Sequence, residues 1–93
     1  MDLRAAIAII VAAVIEGRWG LSYHAAEEKL LELGLYQADV EHALVHAHDG
    51  VVDDDTDMKW KLYGPTLGGE VIAVVVRIRE NASIRVVTVH PYP

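Results

Sequence analysis

The strongest pattern in the chain lies between Val71 and His90, where two runs, VIAVVVRIR and SIRVVTVH, are joined through Glu80–Ser83. Eleven β-branched residues fall between Val71 and Val89, and such side chains are stiff at χ1 and suit a pleated surface. The polar break Glu80-Asn81-Ala82-Ser83 suits a short hairpin loop. Strict alternation puts Ile72, Val74, Val76 and Ile78 on one face of the first strand, with Arg77 and Arg79 on the other. In the second strand the same rule sets Ile84, Val86, Thr88 and His90 against Arg85, Val87 and Val89. A register that matches the apolar faces gathers Arg77, Arg79 and Arg85, since a one-residue slip would bury them.

Upstream of this hairpin the pattern predicts helices. Ala5–Ile15 is apolar on every side, too short for a bilayer, and expected to be buried in the fold or against a second copy. Asp2 and the lack of a clean cleavage site argue against a signal peptide. Gly17 and Gly20 stop this helix. Ser22 is an N-cap for a helix over 23–33, with Gly34 as its C′ residue, and a third helix runs from about Gln37 to His48. Val51–Met58 reads as an acidic loop, and Lys59–Tyr63 as a short strand with Trp60 and Leu62 on one side. A three- or five-residue connection through Gly68-Gly69 would add Lys59 and Lys61 to the arginine face; a two-residue loop would put Trp60 there. The expected fold is α+β: about three N-terminal helices on a three-stranded antiparallel meander, in one domain over 1–93. Within it, 1–20 is the apolar helix, 21–50 a helical hairpin and 51–93 the sheet.

Composition narrows the chemistry. Ninety-three residues suffice for one core, and the hydrophobic content of 53% excludes a disordered chain. With no cysteine there is no disulfide scaffold and no thiolate site, and we expect a cytoplasmic protein without a membrane span. A net charge of −6 opposes indiscriminate nucleic-acid binding, which makes a local arginine patch the more pointed. It reads either as a solvated sheet face or as a phosphodiester site. His24 in the first turn of the second helix and His90 at the end of the last strand would then be acid and base candidates for metal-independent phosphodiester cleavage.

Two other groupings are poorer candidates. His42, His46 and Asp49 fall at i, i+4 and i+7 of the third helix, a spacing able to chelate a divalent ion. One exposed helix alone would supply that site, so we assign no metal and no other cofactor. Asp53, Asp55 and Asp57 open like a calcium loop, but Met58 and Gly64 occupy the positions of its glycine and bidentate glutamate. Gly-rich phosphate loops, serine elbows and HExxH are absent from the sequence.

Ser22-Tyr23-His24-Ala25, the helix ending at Leu33-Gly34-Leu35, Asp39-Val40, Lys61-Leu62-Tyr63-Gly64, Val74-Val75-Val76 and Val87-Thr88-Val89 together resemble a small family of uncharacterised domains. That family is similar to the BrnT- and RelE-type toxins of bacterial toxin–antitoxin pairs, and the likeness spans about Leu21–Pro91. It implies a toxin-like domain that cleaves messenger RNA held on the sheet without a metal, or a degenerate relative of such an enzyme, with a cognate antitoxin as partner. It implies His24 as the family histidine and Arg77, Arg79 and Arg85 as the sheet lining. The chain departs from the pattern after His-Ala, where Glu27, Glu28 and Glu32 stand in place of arginines. The alternative is a non-catalytic interaction module, homo-oligomeric through its first helix, whose arginine face docks an acidic partner.

Overall fold

The computed structural model describes residues 1–54 and 56–92. Among these the chain forms three helices and one mixed sheet of five strands. Helix α1 (Leu3–Ile15) starts at Asp2, whose carboxylate accepts from the Ala5 amide at 2.8 Å. Strand β1 (Trp19–Leu21) follows. Helix α2 occupies 24–33 and is wound in two ways, π-helical over His24–Lys29 and α-helical over Leu30–Leu33. Helix α3 (Gln37–Val45) leads to β2 (Asp49–Asp54), β3 (Lys59–Pro65), β4 (Val71–Ile78) and β5 (Ile84–Pro91). The sheet order is β1-β5-β4-β3-β2, with β1 parallel to β5 and the other pairs antiparallel.

The sheet is not the expected three-stranded antiparallel meander: β3, β4 and β5 pair antiparallel, but a further strand is added at each edge and one of these pairs parallel. At one edge β1 adds three residues, opposite Ile84–Val86. Three residues carry no periodicity, and parallel pairing with a partner over sixty positions away leaves no local signal. At the other, β2 replaces the expected acidic loop over its first half. Backbone pairing with β3 suffices there, and an edge strand with one solvated side accepts Asp53 and Asp54. The third helix stops at Val45, short of His48, because the His48 amide is already bonded to the Tyr63 carbonyl as the chain enters the sheet.

The core lies between one sheet face (Trp60, Leu62, Ile72, Val74, Val76, Ile78, Ile84, Val86, Val89) and the helices. Helix α1 contributes Ala6, Ile10, Ala13 and Val14, and α3 contributes Val40, Ala43 and Leu44. The apolar first helix is therefore only half enclosed: Ala5, Ala8 and Ile15 face solvent, Ile15 being 69% exposed. Helix α2 ends in a Schellman motif as Gly34, at φ 68°, lets the Leu35 amide reach the Leu30 carbonyl.

Asp39 is buried in the first turn of α3, where its two oxygens accept from the amides of Tyr36 (2.9 Å) and Leu67 (3.2 Å). One carboxylate thus caps the helix and fastens the β3–β4 connection. Asp39→Ala should cost about 1–3 kcal/mol, because it removes a cap and strands a second amide. Urea denaturation would show it as a lower midpoint at unchanged slope.

The five residues between Pro65 and Val71 set the register that sends Trp60 inward and Lys59 and Lys61 outward. In β5 the strict alternation fails. Val75 pairs with Thr88 and Val76 with Val86, so Val87 is an inserted residue, a β-bulge. The bulge reverses the alternation after Val86. Val89, expected beside Arg85, is 0% exposed in the core, whereas Thr88 and His90 turn onto the arginine face. A bulge-free strand would have buried the imidazole of His90 and exposed a valine.

Candidate functional site: the outer face of the sheet

The sheet face remote from α1 and α3 is ordered in rows by the strand register. Lys59, Arg77 and Arg85 are directly opposed across β3, β4 and β5. Lys61, Val75 and Thr88 form the next row, and Tyr63, Ala73 and His90 the one after. Four of the chain's eight lysines and arginines therefore share this face of an acidic molecule, with Arg79 just past the end of β4. Successive rows lie about 7 Å apart, so Arg77 and Arg85 are roughly 13 Å or more from His90 along the strands. Arg77, Arg85 and His90 share one surface, and His24 reaches it at Thr88. The cation standing between them is Lys61.

The arginine row is not bare. Asp57 lies 2.5 Å from the Arg77 guanidinium and 3.9 Å from the Lys59 ammonium. Beside His90 the face is hollowed into a cleft of about 480 Å³ lined by Lys61, Tyr63, Ala73, His90, Pro91 and Tyr92. Ala73 gives it a low floor between larger neighbours, and the rings of Tyr63 and Tyr92 meet at 4.6 Å along one side.

Helix α2 brings the second histidine. Strand β1 covers β5 only as far as Val86, and α2 begins where that pairing ends. Ser22 is the clamp: its amide donates to the Val86 carbonyl and its hydroxyl to the Val87 carbonyl at the bulge. The same hydroxyl accepts from the Ala25 amide at 3.0 Å, the N-cap role its position predicted. The bulge that turns His90 outward is thus tied to the helix that carries His24. From there Nε2 of His24 reaches the Thr88 hydroxyl at 3.2 Å, and Nδ1 meets Glu28 Oε2 at 2.7 Å.

The π winding of His24–Lys29 has a further effect on this face. In an α-helix, residues five apart point about 140° away from each other at roughly 100° per residue. Bonding from i to i+5 lessens that divergence, and Lys29, whose ammonium pairs with Glu32 at 3.2 Å, is carried on the same turn as His24. Lys29 and His24 are among the charges felt at His90. Burial, then Lys29, then Lys61, then His24 lower the pKa of His90 below 6.5, and Asp53 opposes them. His90 is accordingly a neutral imidazole at neutral pH.

The His42, His46 and Asp49 spacing does not form a site. Asp49 opens β2 and accepts from the Gly50 amide, while Nδ1 of His42 donates to the Pro65 carbonyl at 2.8 Å. The rings of His42 and His46 pack against each other, tilted by 40° with their centres 4.3 Å apart. Among the described residues, no three or more His, Asp or Glu side chains are gathered to hold a metal ion. Of the Asp53, Asp55 and Asp57 alternation, Asp55 lies outside the described residues; Asp57 serves the arginine row. Sequence reasoning missed Glu28, Lys29 and Thr88. Glu28 was open to discovery at i+4 from His24, whereas Lys29 and Thr88 depend on the π turn and the bulge.

No protein-family model, curated protein or solved structure matches the chain. No helix among the described residues is long and apolar enough to cross a membrane.

Proposed function

We propose that the outer sheet face binds single-stranded RNA and cleaves its phosphodiester without a metal, as a toxin-like endoribonuclease. The observation that carries the reading is the meeting of two histidines of different surroundings on one cationic face of a chain with net charge −6. His90, neutral beside Lys29 and Lys61, would accept the 2′-hydroxyl proton, and His24 would give a proton to the leaving 5′-oxygen. The products would be a 2′,3′-cyclic phosphate and a 5′-hydroxyl. Lys61, Lys59, Arg77, Arg79 and Arg85 would hold the phosphates, and a cognate antitoxin would cover the same face. The resemblance to BrnT- and RelE-type toxins supports this reading.

The purified chain should cut mixed messenger RNA in the presence of a chelator, leaving cyclic-phosphate ends. Binding should weaken with salt by about −3.5 in log K per log unit if five phosphates are contacted. Intact RNA, with the protein freed of any co-purified partner, would remove the enzyme reading. The rival interaction module has its own supporting observation in the exposed Ala5, Ala8 and Ile15 of α1. Under it RNA stays whole and the chain sediments as a dimer.

A further inference from the structure

The least expected feature of the outer face is a hydrogen-bonded chain of hydroxyl, imidazole and carboxylate: Thr88 Oγ1, His24 and Glu28 Oε2, at 3.2 and 2.7 Å. An ionised carboxylate can only accept, so Nδ1 of His24 must donate to Glu28 whether or not the ring is charged. That fixes the ring in one flip state and leaves Nε2 facing the sheet. In the neutral ring Nε2 is then the acceptor, the reverse of the form that free histidine favours in water. Three separate devices hold this arrangement: the π winding of His24–Lys29, the Ser22 clamp on the Val87 carbonyl, and the bulge that turns Thr88 outward. π turns and bulges concentrate where a side chain must be re-aimed.

We infer that Glu28 is a positioning residue, which aims Nε2 of His24 at the point marked by the Thr88 hydroxyl, where the leaving oxygen of a phosphodiester takes its proton. The inference rests on the cleavage reading above and completes its proton path. The 2′-oxygen bonds to phosphorus as its proton passes to a ring nitrogen of His90, and the P–O5′ bond breaks. His24 acts as the imidazolium, with a proton on each nitrogen: O5′ takes the proton from Nε2, and Nδ1 keeps its proton and its hydrogen bond to Glu28 throughout, so the ring ends neutral with its proton on Nδ1. The Thr88 hydroxyl gives up its place at Nε2 when substrate arrives.

Two measurements test it. The first needs no activity. Nitrogen-15 NMR above neutral pH should find the proton of His24 on Nδ1 in the wild type and in Glu28→Gln, whose amide oxygen still accepts. In Glu28→Ala it should move mainly to Nε2. The second compares two substrates of the full chain: a ribodinucleotide, whose leaving alkoxide needs a proton, and uridine 3′-(p-nitrophenyl phosphate), whose leaving group does not. Glu28→Ala should lower kcat about 10-fold or more on the first and less than about 3-fold on the second, with Glu28→Gln between wild type and Glu28→Ala. An equal loss on both substrates, or an unchanged tautomer in Glu28→Ala, overturns the role of Glu28 and leaves the cleavage reading standing. A wild type that cuts neither substrate overturns the cleavage reading itself, and the positioning role with it.

Discussion

Gly64→Ala is expected to be the most destabilising single-methyl change in the sheet. Gly64 sits on the inner face of β3 opposite Ile72, at the place where α3 crosses the strand. A Cβ there would stand 2.0 Å from the Ala43 carbonyl oxygen, 2.8 Å from its carbon and 3.1 Å from the Ala43 Cα. These are backbone atoms, so no rotamer change relieves the overlap. Strand β3 is held on both sides, by β2 and β4, and α3 is fastened at its start by Asp39. The helix must therefore lift from the sheet, opening the packing of Val40, Ala43 and Leu44. Overpacking of a core costs about 1–3 kcal/mol, and a clash between two backbones belongs at or above that upper end. In a domain of this size about 3 kcal/mol lowers Tm by roughly 12–24 °C. Gly20→Ala supplies the control, since a Cβ at Gly20 meets nothing within 4 Å, and its effect should stay within about 0.5 kcal/mol. Thermal melts followed by circular dichroism decide it. A fall of only a few degrees for Gly64→Ala would mean that α3 does not rest on β3 so closely.

That contact also marks where sequence reasoning succeeds and where it stops. The β3-β4-β5 hairpins were legible because Val and Ile alternate with charge, and the Ser22 and Gly34 caps because capping is local chemistry. Gly64, by contrast, looks like a turn glycine beside Pro65, yet it is inside a strand and small because a helix passes over it. Strands β1 and β2 were invisible for the same reason: their pairing is fixed by distant partners, and neither carries an apolar alternation of its own. Asp39 looked like a routine acidic residue in a first helical turn, whereas burial against the Leu67 amide makes it a fastener.

The arginine face was legible as a set of residues but not as a site. Alternation put Arg77 and Arg85 on one face, where the register pairs them, and then assigned His90 to the opposite side. One inserted residue, Val87, undoes that assignment, and nothing in VVTVH announces which valine is the extra one. The burial demand decides it: Val89 gains more from the core than His90, which keeps its polar ring on the wet face. The functional reading therefore hinges on a bulge that is fixed by packing and held by the Ser22 clamp.

His90→Ala should lower RNA cleavage by about 100-fold or more, since a general base of this kind contributes roughly 10²–10⁴. Its pH dependence is the sharper result. Burial, Lys29, Lys61 and His24 all lower the pKa of His90, and Asp53 alone raises it. A base must be deprotonated to act, so the acidic limb of kcat/KM should lie below 6.5, the ordinary histidine value. Lys61→Gln removes one of the two lysine charges that hold the proton off. The limb should then move up toward 6.5 without reaching it, because burial and Lys29 remain. The variant should lose more activity at pH 6 than at pH 8, in addition to any uniform loss from weaker phosphate binding. The same shift has a consequence for stability. Its folded pKa being the lower, His90 lets the unfolded chain bind the extra proton, so its contribution is intact above 6.5 and declines as pH falls through that value. Lys61→Gln should shrink that decline, which denaturation at pH 5 and pH 8 would register even with no RNA present. A limb that stays in place in Lys61→Gln would take His90 out of the role of base. It would then leave His24 as the one histidine on the face with a claim to the chemistry.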